Sequence, residues 1–433
     1  MKDFKARMVT EKIIQNLADV DFYKLTMLQF IWFFFRNTQV IFRFNNRTDV
    51  NLANYIDADE LRRQLERVRA LHFPKWCARK LKTRYGTLFR DEFLKWLVEL
   101  QLTTIPNVVV QKGQMDIRVQ GTWAEVMLWE TITMCIVNRL YFLAKMNELG
   151  LKESDVLAEG HNRALQKFLR LASYPLLFFV DFGTRRRWSF AHQLAVVKLA
   201  MATVPDQIKG TSNVYLGLKL DLPLIGTMAH ELTMAFQALF WEMDEANDRL
   251  QSQKKLWQMW QEFYGGKLTV ALPDTYGNDF GLEDFAEFAA TWMGQRHDSG
   301  EPINFGEKVI AFYQRLQIDP KTKLLVFSDG LTDESMIELW IHFHERIVVA
   351  PFGWGTHLTN DMGFDRWSDG NRGLKPLSIV MKLVGVFIGD VIYWTVKLSD
   401  NPAKATGPRD KVERIMRKTS YDPSVHLAVE CVV

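Results

Sequence analysis

Among nine histidines, His230 is the one best placed for chemistry: it closes a Gly226-Thr-Met-Ala-His run after short apolar residues, and Glu231 follows it as a carboxylate that could orient the ring. A neutral imidazole nitrogen is a competent nucleophile toward a phosphoryl group, so His230 is a candidate carrier of covalent phosphate, with a purely structural histidine as the alternative. Arg296 and Asp298, in Gln-Arg-His-Asp-Ser-Gly together with Ser299, offer a cation for anionic oxygens and a carboxylate for ribose hydroxyls or a developing positive charge. A surface ion pair is the plainer reading there. Phe182 and Arg185, in Asp181-Phe-Gly-Thr-Arg-Arg-Arg, set a planar face beside three cations, which suits an aromatic carboxylate or a pyrophosphate.

Two further clusters, Ser328-Asp329-Gly330 and Gly353-Trp354-Gly355-Thr356, follow apolar runs. Glycine lets backbone N–H groups approach an anion with no Cβ in the way, so both read as phosphate loops, each with an ordinary turn as its alternative. Gly265-Gly266-Lys267 is followed by Leu268 rather than Ser or Thr, which excludes a Walker A loop; any ATP must bind otherwise. His342 and His344, two apart, match no metal spacing, and no metal site built from protein ligands is expected.

These clusters need a scaffold that brings them to one place. After Pro175, short apolar runs recur, each followed by enough chain for a helix: Leu176 to Val180, Ile225 to Thr227, Leu268 to Leu272, Phe288 to Met293, Leu324 to Phe327 and Ile347 to Ala350. Each leads into one of the polar or glycine-rich clusters, Asp274-Thr275 included. Parallel barrels carry their chemistry at strand C-termini, so the expectation is an irregular α/β barrel of about six or seven parallel strands over residues 175–374. Residues 1–174 read as an α+β accessory domain, helical at Leu61 to Val68 and Arg90 to Leu100, with a strand at Gly113 to Val119 and a long buried helix from Trp123 to Leu149. Two strands, Leu377 to Val384 and Val391 to Leu398, turn near Gly389-Asp390, and residues 375–433 are expected to return to the first domain.

The composition, 48% hydrophobic and 24% charged over 433 residues, is that of a globular protein with a large core. Net charge is only +3, from 54 basic and 51 acidic residues, so no nucleic-acid partner is indicated. The apolar stretch Met27 to Phe35 spans about 14 Å as a helix against a hydrocarbon core of about 30 Å and cannot cross a membrane. Cys77, Cys135 and Cys431 form no C-x-x-C pair, and the N-terminus has no signal-peptide pattern; a reducing, cytoplasmic setting is the expectation.

In this order, Asp21-Phe-Tyr-Lys-Leu-Thr-Met, Asp181-Phe-Gly-Thr-Arg-Arg-Arg, Gly210-Thr-Ser-Asn-Val, Gly226-Thr-Met-Ala-His-Glu and Arg296-His-Asp-Ser-Gly resemble the nicotinate phosphoribosyltransferase family of type II phosphoribosyltransferases. Phe352-Gly-Trp-Gly-Thr-His-Leu-Thr-Asn-Asp and Lys397-Leu-Ser-Asp-Asn-Pro-Ala-Lys look like its bacterial-type members. The resemblance implies condensation of nicotinate with phosphoribosyl pyrophosphate (PRPP), coupled to ATP hydrolysis through a phosphate on His230, with Glu231 and Asp298 in the catalytic set. It implies Tyr23, Phe182, Arg185 and Ser212 around nicotinate, Tyr23 arriving from the second subunit of a homodimer. Arg296, Ser299, Ser328, Asp329, Gly330, Gly353, Gly355 and Thr356 are implied at the PRPP phosphates, with Mg2+ held largely by substrate. Three residues depart from the family pattern: Ala18, Trp354, and Glu301, which stands where an Asp is usual and bears on a hydrogen bond at the ribose site. Alternative readings are a nicotinamide-specific relative, a sugar-phosphate aldolase or isomerase, and a silent homologue. The arginine run favours an acid; an aldolase would want a Lys at a strand end, where none is evident.

Overall fold

The computed structural model describes residues 4–368 and 372–425, so that Cys431 lies outside the described residues. The chain opens with β1 (Gln39–Asn46), β2 (Asn107–Gln111) and β3 (Gln114–Thr122). Seven short strands follow: β4 (Phe179–Asp181), β5 (Ile208–Thr211), β6 (Val270–Ala271), β7 (Gly294–His297), β8 (Leu324–Phe327), β9 (Val348–Val349) and β10 (Phe352–Trp354). It closes with β11 (Ile379–Ile388) and β12 (Val391–Trp394).

β12-β11-β1-β3-β2 form one antiparallel sheet, so the C-terminal hairpin returns to the first part of the chain, as expected. β1 shows why: Val40, Phe42 and Phe44 alternate inward while Gln39, Arg43 and Asn45 face water, the period of a half-buried strand. The expected helix at Trp123 to Leu149 is present in two pieces, Trp123–Val126 and Trp129–Leu149. By length and composition this stretch could cross a membrane, yet 89% of its most apolar window is buried inside the protein, as suits a core helix.

The parallel strands fall into two sheets, β10-β4-β5 and β6-β7-β8-β9, rather than one continuous hydrogen-bonded cylinder. Between them the ladder gives way to ring packing, with Phe327 at the end of β8 stacked 5.9 Å from Phe352 at the start of β10. Two expected strands and one expected loop need correction. Ile225 to Thr227 forms no strand; the chain meets the sheet there by an isolated bridge of Leu224 to Thr211, in which Ile225 N–H donates to Thr211 O (3.1 Å). Phe288 to Met293 is turn and 3-10 helix, because Phe288 and Trp292 are apolar for packing against Trp257 and not for a ladder; the strand begins at Gly294. Gly353-Trp354 is not loop but strand β10, where a Cβ on Gly353 would come 2.6 Å from the Phe182 ring. β5 and β10 escaped notice because Lys-Gly-Thr and Phe-Gly-Trp carry the glycines of turns, here needed for close packing.

Candidate active site

The C-terminal ends of β4, β7, β8 and β10 open into one cavity of about 240 Å³, closed on its far side by β11 and the segments after β1 and β12. Of the expected site residues, Tyr23, Phe182, Arg185, His230, Glu231, Arg296, Asp298, Ser328, Asp329, Gly330, Gly355 and Thr356 line it. Ser212, Ser299 and Gly353 do not, and each acts on a neighbour instead. The Ser212 hydroxyl donates to Asp21 (2.7 Å), the Ser299 hydroxyl donates to Asp274 (2.6 Å), and Gly353 lies under Phe182.

His230 begins the helix His230–Leu239, so its backbone sits where helical N–H groups are unpaired. Its Nδ1 is 2.9 Å from the buried Thr275 hydroxyl; its Nε2 is 2.9 Å from Asp298 and 2.7 Å from Lys397 Nζ, both cavity residues. Burial pushes the His230 imidazole below its usual value, against the pull of Asp274 and with help from Lys397, so the ring is neutral near pH 7. One nitrogen cannot donate to Asp298 and accept from Lys397 at once. The tautomer with its proton on Nδ1, toward Thr275, therefore turns a lone pair at Nε2 onto Lys397 and the cavity. Burial works to raise the Asp298 carboxyl, but the charges of Arg296 and Lys397 help hold it well below the usual range.

Glu231 does not orient His230, contrary to expectation. Its carboxylate accepts from Trp123 Nε1 (2.7 Å) and pairs with Lys24 (2.5 Å), because the helical turn directs it away from its neighbour's ring and toward the helix Phe22–Phe34. Lys24 pairs equally closely with Glu130 (2.5 Å). Lys24, Glu130 and Glu231 thus stand in the first turns of three helices whose N-termini meet at the cavity, a setting that favours negative charge.

The chain's own Tyr23 lines the cavity with Phe182. The start of its helix is fixed in cis by Phe22 N–H donating to Ser212 O (2.5 Å) and by the Asp21–Asn213 bridge, which bring the Tyr23 ring within 5.8 Å of the Arg185 guanidinium.

A family model described as "Nicotinate phosphoribosyltransferase (NAPRTase) family" matches residues 177–424, and the N-terminal domain model of the same family matches residues 18–138. The chain belongs to the nicotinate phosphoribosyltransferase family. Among solved structures it resembles the nicotinate phosphoribosyltransferase of Vibrio cholerae, at 30% identity and a TM-score of 0.84, with 96% of each chain covered. It also resembles that of Porphyromonas gingivalis, at 28% identity and a TM-score of 0.80, with 94% of this chain and 100% of that chain covered. Its fold is the mixed α/β arrangement of these family structures, with parallel and antiparallel sheets.

Within this nicotinate phosphoribosyltransferase site, the antiparallel sheet supplies a basic wall that strand-end reasoning did not find. Arg47 follows β1, Lys382 lies on β11, and Lys397 and Lys404 come after β12. Lys397 also lies 3.4 Å from Asp274, and Lys404 pairs with Asp329 (2.6 Å). Burial, reinforced by Lys397, Arg47 and Lys404, drives the Lys382 amine well below its usual range. With Arg185, Arg186 and Arg296 the cavity carries seven basic residues against Glu130, Glu231, Asp298 and Asp329, a balance suited to a polyanion. The available signal was the Lys397 motif itself, whose two lysines bracket the loop-forming run Ser399-Asp-Asn-Pro402.

Two matters raised by the sequence find their place here. Glu301 is not among the residues lining the cavity and caps the helix Pro302–Arg315, accepting from Ile303 N (3.0 Å) and Asn304 N (2.6 Å). Ligand atoms of His230, Asp274 and Asp298 lie within 4.8 Å of one another, a grouping that spacing in the sequence did not foretell. The Lys397 ammonium, set between Asp274 and His230, already balances charge there, so two carboxylates rather than a closed three-residue cage are what a hard cation would meet.

Proposed function

We propose that the protein forms nicotinate mononucleotide and pyrophosphate from nicotinate and PRPP, coupled to ATP hydrolysis through a phosphate on His230. The observation that carries this reading is that a neutral imidazole presents Nε2, beside Lys397 and Asp298, to the same cavity that holds Phe182, Tyr23 and Arg185. Nε2 attacks the terminal phosphorus of ATP; an N–P bond forms as the P–O bond to ADP breaks, and Lys397 neutralises the transferred oxygens. Water later breaks the N–P bond and releases phosphate.

For the transfer itself, Phe182 and Tyr23 hold the pyridine ring and Arg185 its carboxylate, while Arg296, the 328–330 loop and Gly355-Thr356 hold PRPP. Arg296 has a buried Nε with no hydrogen-bond partner, which an anionic oxygen would satisfy. The ring nitrogen bonds to ribose C1 as the C1–O bond to pyrophosphate breaks, and Asp298 stabilises the positive charge that develops on the sugar. Asp298, which lines the cavity with Asp274 buried behind it, would be the oxygen ligand for Mg2+ carried in with substrate, and the cation would neutralise the leaving pyrophosphate. A homodimer belongs to the same reading by family resemblance.

Incubation with PRPP, Mg2+ and ATP, comparing nicotinate, nicotinamide and quinolinate, tests this reading. Preferential nicotinate mononucleotide with release of ADP is expected; no mononucleotide from any of the three would reject it. The depressed His230 value sets the pH dependence of the phosphorylation step. A neutral nucleophile is lost only on protonation, so labelling by ATP should stay level down through pH 6.5, the ordinary imidazole value, and decline below it. Half-loss well above pH 6.5 would contradict a neutral, buried ring.

A further inference from the structure

Arg185 has two carboxylate neighbours at the ring end of the cavity. Its Nη1 lies 3.3 Å from Glu130 Oε1, and its Nε lies 3.7 Å from Asp21 Oδ2. Asp21 is buried behind the cavity wall with its other oxygen held by Ser212, whereas Glu130 lines the cavity. The two oxygens of Glu130 are unequally bound. Oε2 meets the fully buried Lys24 ammonium at 2.5 Å, while Oε1 meets a guanidinium that is 43% exposed, at the longer distance. The first contact is shielded from water and strong; the second is open to water and weak.

We infer that Glu130 is the exchangeable counter-ion of Arg185 and limits how strongly an aromatic acid is preferred over the neutral amide. An entering carboxylate takes the place of Glu130 on the guanidinium, while Lys24 keeps the charge of Glu130 balanced. A carboxamide has no charge to exchange and leaves the Arg185–Glu130 pair in place. The acid therefore binds against a competitor already in the chain, and the amide does not. Lys24 makes the exchange feasible because it holds Glu130 and Glu231 together whichever partner Arg185 has. The inference rests on Arg185 being the partner of the substrate carboxylate.

The test is calorimetric binding of nicotinate and of nicotinamide to the full chain and to Glu130→Gln, Glu130→Asp and Arg185→Gln. Glu130→Gln should raise the acid-to-amide affinity ratio about fivefold, the scale of a half-exposed ion pair. Glu130→Asp keeps a carboxylate for Lys24 but withdraws it by about 1.5 Å, one C–C bond, and should raise the ratio by a smaller factor even if the glutamine variant folds poorly. Arg185→Gln should collapse the ratio. If Arg185→Gln leaves the ratio as it was, the assignment of Arg185 itself fails. If it collapses the ratio while both Glu130 variants leave it unchanged or lower it, Glu130 merely positions Arg185 and the exchange is overturned.

Discussion

His230→Ala is expected to remove ATP-dependent phosphorylation entirely and to lower ATP-stimulated product formation by on the order of a thousandfold or more, while a slow uncoupled transfer persists. The persistence follows from the geometry, since Phe182, Tyr23, Arg185 and Arg296 reach the cavity from elements that do not depend on His230. Alanine also relieves Lys397 and Asp298 of their common neighbour, so these two pair directly and the cavity keeps its charge balance. The check is radiolabel from the terminal phosphate of ATP, retained in base and lost in acid as an N-linked phosphate must be, read beside ADP release and mononucleotide yield. Full ATP stimulation in the variant would remove His230 from its role.

The second large effect is expected at Lys397. Its ammonium is 2.7 Å from Nε2 and 3.4 Å from Asp274, so it stands where phosphoryl charge would accumulate and where water has been excluded. Lys397→Met keeps most of the side-chain volume and deletes the charge. Loss of one such group lowers turnover by about a hundredfold to a thousandfold in comparable anion-stabilising sites. Two signatures separate this from simple misfolding. Phosphate labelling of His230 should fall together with coupled synthesis, and without the nearby cation the imidazole should titrate at higher pH, because Lys397 is one of the groups that lower it. Labelling within threefold of the parent protein would show that Lys397 is not needed at the phosphoryl group.

What the sequence made legible was the set of strand-end clusters, because glycine, arginine and aspartate after apolar runs have few structural explanations and occur in order along a parallel scaffold. Phe182, Arg185, Arg296, Asp298, Ser328 and Thr356 all reach one cavity on that account. The basic wall was hidden for a physical reason: Lys382 lies on the antiparallel sheet and Arg47, Lys397 and Lys404 on segments leaving its strands, and only the pairing of β11 with β1, distant in sequence, brings them over the strand ends. Glu231 misled because adjacency along a chain is not adjacency of side chains on a helix. Lys24 and Glu130 could not be paired in advance, since nothing local to either announces a partner more than a hundred residues away. Phe288 to Met293 shows the opposite failure, an apolar run whose period was that of a buried aromatic cluster and not of a strand.

The cavity draws on both ends of the described chain: Tyr23 from its first helix, Lys397 and Lys404 from a segment made after every parallel strand. A polypeptide still being synthesised can therefore hold all seven parallel strands and His230 and yet lack Lys397 and Lys404, two of the cations that line the cavity. On the proposed mechanism a chain without these lysines would consume ATP only slowly, so the order of synthesis would itself spare ATP in half-made molecules.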